Sequence, residues 1–520
     1  MYLKNLKINF VTLLVFFFPV SIVSGPLIPE IIVFILFFFV VSDIFVYKNY
    51  SYLKNKIFFG FVLFFFYLQL VSFLSFLKYE NLYSFKNTIF YFRYGIILYA
   101  TIYVLENNLK VAKKFFLGYF ILFLILFFDL LKQVITGINF FNMPLLHSRA
   151  SSFFGDELVL DSFLIKVLPI LVSLSLFLKK KNIYILFIII LFGVAIFFGG
   201  SRSSFFSYLL FVISLFLIFF KNKMIFFLFF IIILILTSLG SYNTSAGNRI
   251  FKATIDQILP QKNKLVLFSV RHQSHYETAL SIFKDNLIFG AGPNQFRYLC
   301  QKENYLPIAT LKNFFIFAPS EPLVKIFLVN INEEKIDISY LFHDNNEFDT
   351  KMIFNLLKAN SNFNYKNFNT YKVLISITSK NKTDYILNHY LFDGQIFYAS
   401  TNYVKNQIII KLNKEYNYAN GCNTHPHNFH IQLLAEIGII GYSFILIFLI
   451  YIIKNLYFNF RNKLNVKFYN EQYILTVGIL INFFPFIPTG NFFNNWISFL
   501  LFLPLGYLIS FKRIGKLFKD

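Results

Sequence analysis

Residues 425–441 read HPHNFHIQLLAEIGIIG, three histidines, an asparagine, a glutamine and a glutamate at the start of an otherwise apolar run. Pro426 suits the first position of a helix, where its missing N–H costs nothing. Helical spacing then places His427, Ile431, Leu434 and Gly438 on one face. Asn428, Gln432 and Glu436 form a polar stripe beside it. Polar groups at membrane depth are costly and face protein or water, so this helix end should look into a hydrated cavity. An imidazole, with an ordinary pKa of about 6.5, can take a proton from a hydroxyl there. The free N–H groups of the helix start favour an anion. A metal is not expected: no carboxylate or thiolate pattern completes a tetrahedral set with His425, His427 and His430.

Arginine supplies the complementary chemistry, because its planar fork matches phosphate oxygens two at a time. HSRASSFFGDE holds Arg149 with Asp156 and Glu157, and GGSRSS holds Arg202 at a turn between two apolar stretches. RHQSH sets Arg271 and His275 one helical turn apart. Three arginines and a histidine on one membrane face would suit a lipid-linked pyrophosphate. GAGPNQF (290–296) is a tight turn with free N–H groups.

The elements that must position these residues are membrane helices. Of the 520 residues 57% are hydrophobic and 14% charged, against about 45–50% and ~25% in soluble domains. Mean hydropathy is +0.61. The 77 phenylalanines come with excess Ile, Lys, Asn and Tyr, which points to coding bias and not to stacking on sugars or bases. The net charge of +23 caps apolar stretches and is not gathered on a soluble patch, so nucleic acid is not an expected partner.

Windows of about 20 residues give about twelve spans, near 8–24, 27–47, 57–77, 88–105, 114–135, 158–178, 182–199, 203–220, 223–241, 428–453, 471–486 and 492–511. The first is read as a retained span, with no small-residue cleavage site after it. One set of short connections carries most of the Lys and Arg. It includes Lys54 and Lys56, Lys179 to Lys181, Lys454 and Arg461, and the tail from Lys512. The opposite set is poor in them, which puts both termini in the cytoplasm.

The expected fold is therefore an all-α polytopic membrane protein with a large periplasmic loop carrying a strand-rich insert. Residues 1–241 form an N-terminal transmembrane bundle and 242–302 a helical periplasmic loop. Residues 303–417 form the insert, with β-branched runs such as YKVLISIT and NQIIIKL. Residues 418–520 hold the periplasmic helix and the last spans. Cys300 and Cys422, the two cysteines, flank the insert. In an oxidising periplasm they are expected to pair, worth about 4–5 kcal/mol in the chain-entropy account of so long a loop.

Several of these pieces resemble, in order, the O-antigen ligase and O-antigen polymerase superfamily of bacterial membrane glycosyltransferases. RASSFFGDELVLDSFL is similar to an Arg-then-acidic segment before a span, and GGSRSSFF to a Ser-Arg turn. RHQSHYETALSIFKDNLIFGAGPNQF resembles an outer-loop Arg helix followed by a glycine turn. HPHNFHIQLLAEIGIIG resembles a His-Asn helix with glycine eleven residues after the histidine, and IPTGNFFNNW a final outer turn. Asp161 departs from the pattern, standing where a small residue is expected, and the insert is larger than usual.

The resemblance implies transfer of a glycan from undecaprenyl diphosphate to an acceptor hydroxyl, on lipid A core for a ligase, at the periplasmic face of the inner membrane. It implies no cofactor. The partners are a polyprenyl-diphosphate-linked glycan donor, a lipid or glycan acceptor and membrane lipids. His427, Asn428 and Arg271 would be catalytic, and Arg149, Arg202, His275 and Glu436 would bind substrate. A polymerase or a protein O-oligosaccharyltransferase needs the same donor site. A polysaccharide transporter would instead need ionisable groups at mid-membrane depth, whereas Arg93, Asp129 and Lys166 fall within spans near their ends or singly. A receptor or sensor reading lacks an output domain in the short cytoplasmic loops.

Overall fold

The computed structural model describes residues 2–146, 149–219, 244–252, 254, 270–300, 302, 305, 422–461, 468–493 and 496–517, together with six short strands between 323 and 409. It is mostly helical and divides into two compact units. One comprises Met1–Leu267, Phe283–Phe296 and His427–Asp520; the other comprises Phe268–Ile282 and Arg297–Pro426.

In the first unit the helices are α1 (Tyr2–Val23), α2 (Leu27–Val41), α3 (Lys56–Tyr79), α4 (Tyr83–Thr88), α5 (Phe92–Asn107), α6 (Val111–Thr136), α7 (Leu160–Phe177), α8 (Asn182–Gly199) and α9 (Arg202–Phe219). After α10 (Val270–Lys284), which is shared between the units, come α11 (Phe429–Arg461), α12 (Tyr469–Asn482) and α13 (Phe499–Leu517). Among the described residues eight helices are long and apolar enough to cross a membrane, in α1–α3, α4–α5 joined, α6–α8 and α11. The protein is thus a multi-pass membrane protein. The expected stretches 203–220, 471–486 and 492–511 are the helices α9, α12 and α13, which do not meet that length and composition. The stretch 223–241 lies outside the described residues.

Burial sorts the helices. The spans of α5 and α7 are each 78% buried, whereas those of α2 and α3 are 39% and 33% buried. The interior helices carry α13 against α5 and α12 against α7. Aromatic residues fill the seams: Tyr94 stacks on Phe502 at 4.8 Å and Phe123 on Phe192 at 3.8 Å. Outward positions such as Phe34, Phe66, Ile121 and Ile447 are more than half exposed apolar side chains, as a lipid-facing surface requires.

The start of α11 differs from its sequence expectation. The helix begins at Phe429, not at Pro426, because the Asn428 side chain caps it. Asn428 Oδ1 accepts the N–H groups of His430 and Ile431 at 3.0 and 3.2 Å. His427 lies outside the helix in a left-handed conformation (φ 58°), so it shares no helix face with Ile431.

Eleven residues after His427 the helix breaks. Gly438 adopts φ 66°, ψ −172°, a region essentially closed to other residues. The break frees the carbonyls of Ala435, Glu436 and Ile437, and each finds a donor. Ala291 N–H and Gly292 N–H donate to Ala435 and Glu436 at 2.9 and 2.8 Å, and the Tyr67 hydroxyl donates to Ile437 at 2.7 Å. In return Ile439 N–H donates to the Leu287 carbonyl at 2.9 Å. The chain at Gly290 runs so close that a Cβ there would overlap the backbone of Glu436 and Ile437, and a Cβ on Gly438 would overlap the Ile288 carbonyl. The turn GAGPNQF and the helix HPHNFHIQLLAEIGIIG are two halves of one clasp.

The second unit holds the part of α10 up to Ile282, and the strands. β1 (Leu323–Val329), β2 (Lys335–Asp337), β3 (Lys372–Ser379) and β4 (Lys382–Tyr390) form an antiparallel sheet in the order β2-β1-β3-β4. Ile326 pairs with Ile375 and Leu328 with Val373. β5 (Asn402–Val404) and β6 (Gln407–Ile409) form a separate pair. Cys300 and Cys422, with Cα atoms 5.0 Å apart, are joined by a disulfide that spans 122 residues of sequence.

Gly438→Ala should lower the stability of the purified protein by at least about 1–3 kcal/mol through its backbone conformation alone. Gly290→Ala should do so by steric overlap. Thermal unfolding in detergent measures both, and wild-type melting of either variant would refute the clasp.

Candidate functional site

Asp161 organises the arginines. It stands in the first turn of α7, is 1% exposed, and its Oδ2 accepts the Ser201 N–H at 3.1 Å. Ser201 immediately precedes α9, so one carboxylate serves the N-termini of two helices, where negative charge is favoured. Arg149 Nη2 lies 3.5 Å from the same oxygen and donates to the Leu158 carbonyl at 2.6 Å. Arg202 opens α9.

A fourth member, Arg249, comes from the π-turn Asn248–Lys252 and lies within electrostatic reach of Arg149, Arg202 and Asp161. Burial pushes the pKa of Arg249 down, the two neighbouring guanidiniums push it further, and Asp161 opposes them. Arg149 and Arg249 thus lie near one carboxylate, with Arg202 within electrostatic reach of Arg249, an arrangement suited to a polyvalent anion.

The approach of Asp161 requires Gly199. A Cβ at that position would overlap Asp161 Oδ1. On the other side, the loop bearing Arg149 is tied to the end of α6. Asp129 accepts the Phe140 N–H at 2.8 Å and the Ser152 hydroxyl at 2.6 Å, and Gln133 Oε1 accepts the Ser152 N–H at 2.9 Å. Asp156 and Glu157, the acids that the sequence places nearest Arg149, are exposed instead.

His427 is half-buried and sits on a bend held from both sides. Its carbonyl accepts the Thr489 N–H at 2.8 Å, and Asn428 Nδ2 donates to the Pro485 carbonyl at 2.7 Å. Behind it a buried network runs through Gln432. The amide Nε2 donates to Glu436 Oε2 at 3.0 Å and to Asn491 Oδ1 at 2.7 Å, while Oε1 accepts the Phe492 N–H at 3.0 Å. Glu436, fully buried, also accepts the Phe296 N–H at 3.1 Å. Asn491 Nδ2 donates to Asn294 Oδ1 at 2.9 Å. The glutamine, glutamate and asparagine therefore fasten three segments together around the histidine bend. His430 is engaged at both ring nitrogens, by the Tyr442 hydroxyl at 2.8 Å and the Phe483 carbonyl at 2.7 Å.

The expected site residues are thus distributed. Arg149 and Arg202 come together, and His427, Asn428 and Glu436 share the α11 start. His275, 1% exposed, and Arg271 lie on the part of α10 in the second unit, and the Arg271 side chain lies outside the described residues. Arg249, Gln432 and Asn491 are additions. Gln432 and Asn491 stand within motifs quoted above, but Arg249 stands in SAGNRIFK, which carries no spacing signal.

Gly199→Ala and Asp161→Ala should each lower the melting temperature of the purified protein. In the double variant the overlap is gone, so the two losses should not add. Additive losses would show that the glycine and the carboxylate act separately.

The family model described as O-antigen ligase matches residues 166–317. The matched stretch contains Arg202, Arg249, Arg271 and His275, while Arg149, Asp161 and His427 stand outside it. No curated protein matches the chain. The match falls on the helices and loop that carry Arg202 and Arg249, and over this stretch the chain is similar to the O-antigen ligase family.

Proposed function

We propose that the protein is an O-antigen ligase-like glycosyltransferase that moves a glycan from undecaprenyl diphosphate to a hydroxyl of lipid A core at the periplasmic face of the inner membrane. The observation that carries this reading is the pairing of Arg149 with Asp161, which also holds the Ser201 N–H beside Arg202, with Arg249 within electrostatic reach of all three charged groups. A diphosphate is already a good leaving group, so catalysis requires that its charge be held and an acceptor deprotonated. The arginine cluster suits the first task. In the reaction the acceptor oxygen bonds to the anomeric carbon, the bond from that carbon to the diphosphate breaks, and His427 takes the acceptor proton. The products are the new glycoside and undecaprenyl diphosphate.

Asn428, Gln432 and Glu436 are positioning residues in this reading, because their polar atoms are engaged in holding the histidine bend. Arg271 and His275 keep the roles that the family resemblance implies for them. Transport is less well supported. Asp129 holds the Arg149 loop, Arg93 pairs with Glu30, and Lys166 donates to Ser162, so each of these three groups has a structural use.

The proposed topology places both termini in the cytoplasm and residues 242–427 outside. Reporter fusions at Lys221, Ala246 and Asp520 test it; a cytoplasmic signal at Ala246 would remove the periplasmic site.

His427→Ala should lower transfer by about 10²–10⁴-fold, with the protein still present in the membrane at its normal level. Arg249→Ala and Arg202→Ala should do likewise, and the lysine variants should rescue poorly, since a point charge does not replace a planar fork. Assay with purified donor and acceptor decides; near-normal transfer by His427→Ala would end its assignment as base. In a deletion strain, loss of all capped lipopolysaccharide identifies a ligase, whereas a single-repeat product identifies a polymerase.

A further inference from the structure

The opposite end of the bundle gathers five cations around one recess. α3 runs from Lys56 to Tyr79, and Lys78 near its far end donates to Asn286 of the segment that leads into the clasp. Its near end, with Lys54 and Lys56, meets the last turns of α13, with Lys512, Arg513 and Lys516. Twenty-four residues of helix separate the two ends of α3, about 36 Å, so this region is about a membrane thickness from the clasp.

Between these helices and α11 and α12 lies a recess of about 640 Å³. All five cations line it, and no acidic side chain does. Among the described residues one carboxylate pairs with any of the five: Glu106, on Arg513. That leaves four lysines, from two segments more than 450 residues apart, facing a single cavity. Lys512 is held in place, donating to Asn455 Oδ1 at 3.0 Å and to the Tyr451 hydroxyl at 3.2 Å.

A charge bias that serves topology alone would spread lysines over the connecting loops. It would not place them on one recess. The walls add a second property: Ile452, Leu456 and Leu508 give the cavity an apolar side. Cations at one side and aliphatic walls at the other match a molecule with a phosphate and a hydrocarbon chain.

We propose that this recess binds an anionic phospholipid, its phosphodiester headgroup against Lys54, Lys56, Lys512 and Lys516 and an acyl chain along Ile452, Leu456 and Leu508. The volume fits a headgroup with its glycerol. Free phosphate shares the headgroup chemistry but would leave the apolar walls without a partner. The assignment is independent of the transfer reaction, which concerns the other end of the helices.

The test uses the full-length protein purified in detergent. It is titrated with phosphatidylglycerol, with phosphatidylcholine of the same acyl chains, and with inorganic phosphate, with bound lipid read by native mass spectrometry and stability by thermal unfolding. Phosphatidylglycerol should bind and raise the melting temperature, and the other two should do so weakly. Each lysine near a membrane surface contributes about fivefold in affinity for anionic lipid, so Lys56→Gln/Lys512→Gln/Lys516→Gln should weaken phosphatidylglycerol binding by about a hundredfold. Lys516→Glu, at an exposed position, changes two charge units, should weaken it by about twenty-five-fold and guards against misfolding of the triple variant. Lys179→Gln/Lys180→Gln/Lys181→Gln, which removes as many charges outside the recess, should leave it unchanged. Equal binding of phosphatidylcholine, equal stabilisation by inorganic phosphate, or equal loss in the Lys179–Lys181 variant would overturn the proposal.

Discussion

A helix that breaks inside a membrane protein frees carbonyl groups that hydrocarbon cannot satisfy. The break at Gly438 does this to three consecutive residues; the clasp with the 287–292 segment satisfies two of them and the Tyr67 hydroxyl the third. Most of the proposed site depends on it. The bond pair that ties Ala291 and Gly292 to α11 also brings Asn294 to Asn491, and Asn491 to Gln432. Those bonds place Thr489 and Pro485 where they can hold the backbone of His427 and the side chain of Asn428. The glycine eleven residues after the histidine is therefore an element of histidine positioning, although it touches no reacting atom.

Asp161 plays the corresponding part for the arginines. An uncompensated group of guanidiniums would repel itself, and an isolated buried carboxylate would be costly. Together they are compatible, because the carboxylate also accepts a helix N-terminal N–H. The residue that departs from the family pattern is thus the one on which the positive cluster closes. Its approach depends on the absence of a side chain at Gly199, in the GGSRSS motif that also supplies Arg202.

Much of the helical layout was legible because 20-residue apolar runs bounded by lysines have few other outcomes. The start of α11 was misplaced by three residues for a local reason. Pro426 and Asn428 are both helix-start signals, and the side-chain cap of Asn428 prevails over the backbone preference of Pro426. Arg149 and Arg202 could be selected from their motifs, whereas Arg249 could not. Its significance comes from three segments separated by about 50 residues each meeting at one carboxylate, which no local pattern encodes. Likewise, helical spacing put Gln432 and Glu436 on one polar stripe, but not the partners from 296 and 491 that join it.

The Cys300–Cys422 bond closes the strand-bearing segment into a covalent ring. A protease that cuts once between β1 and β6 opens the ring without dividing the molecule. The nicked chain keeps α1 and α13 in one species of unchanged mass apart from a water, and separates into two fragments only after reduction. Proteolytic exposure of this segment would then pass unseen on a non-reducing gel.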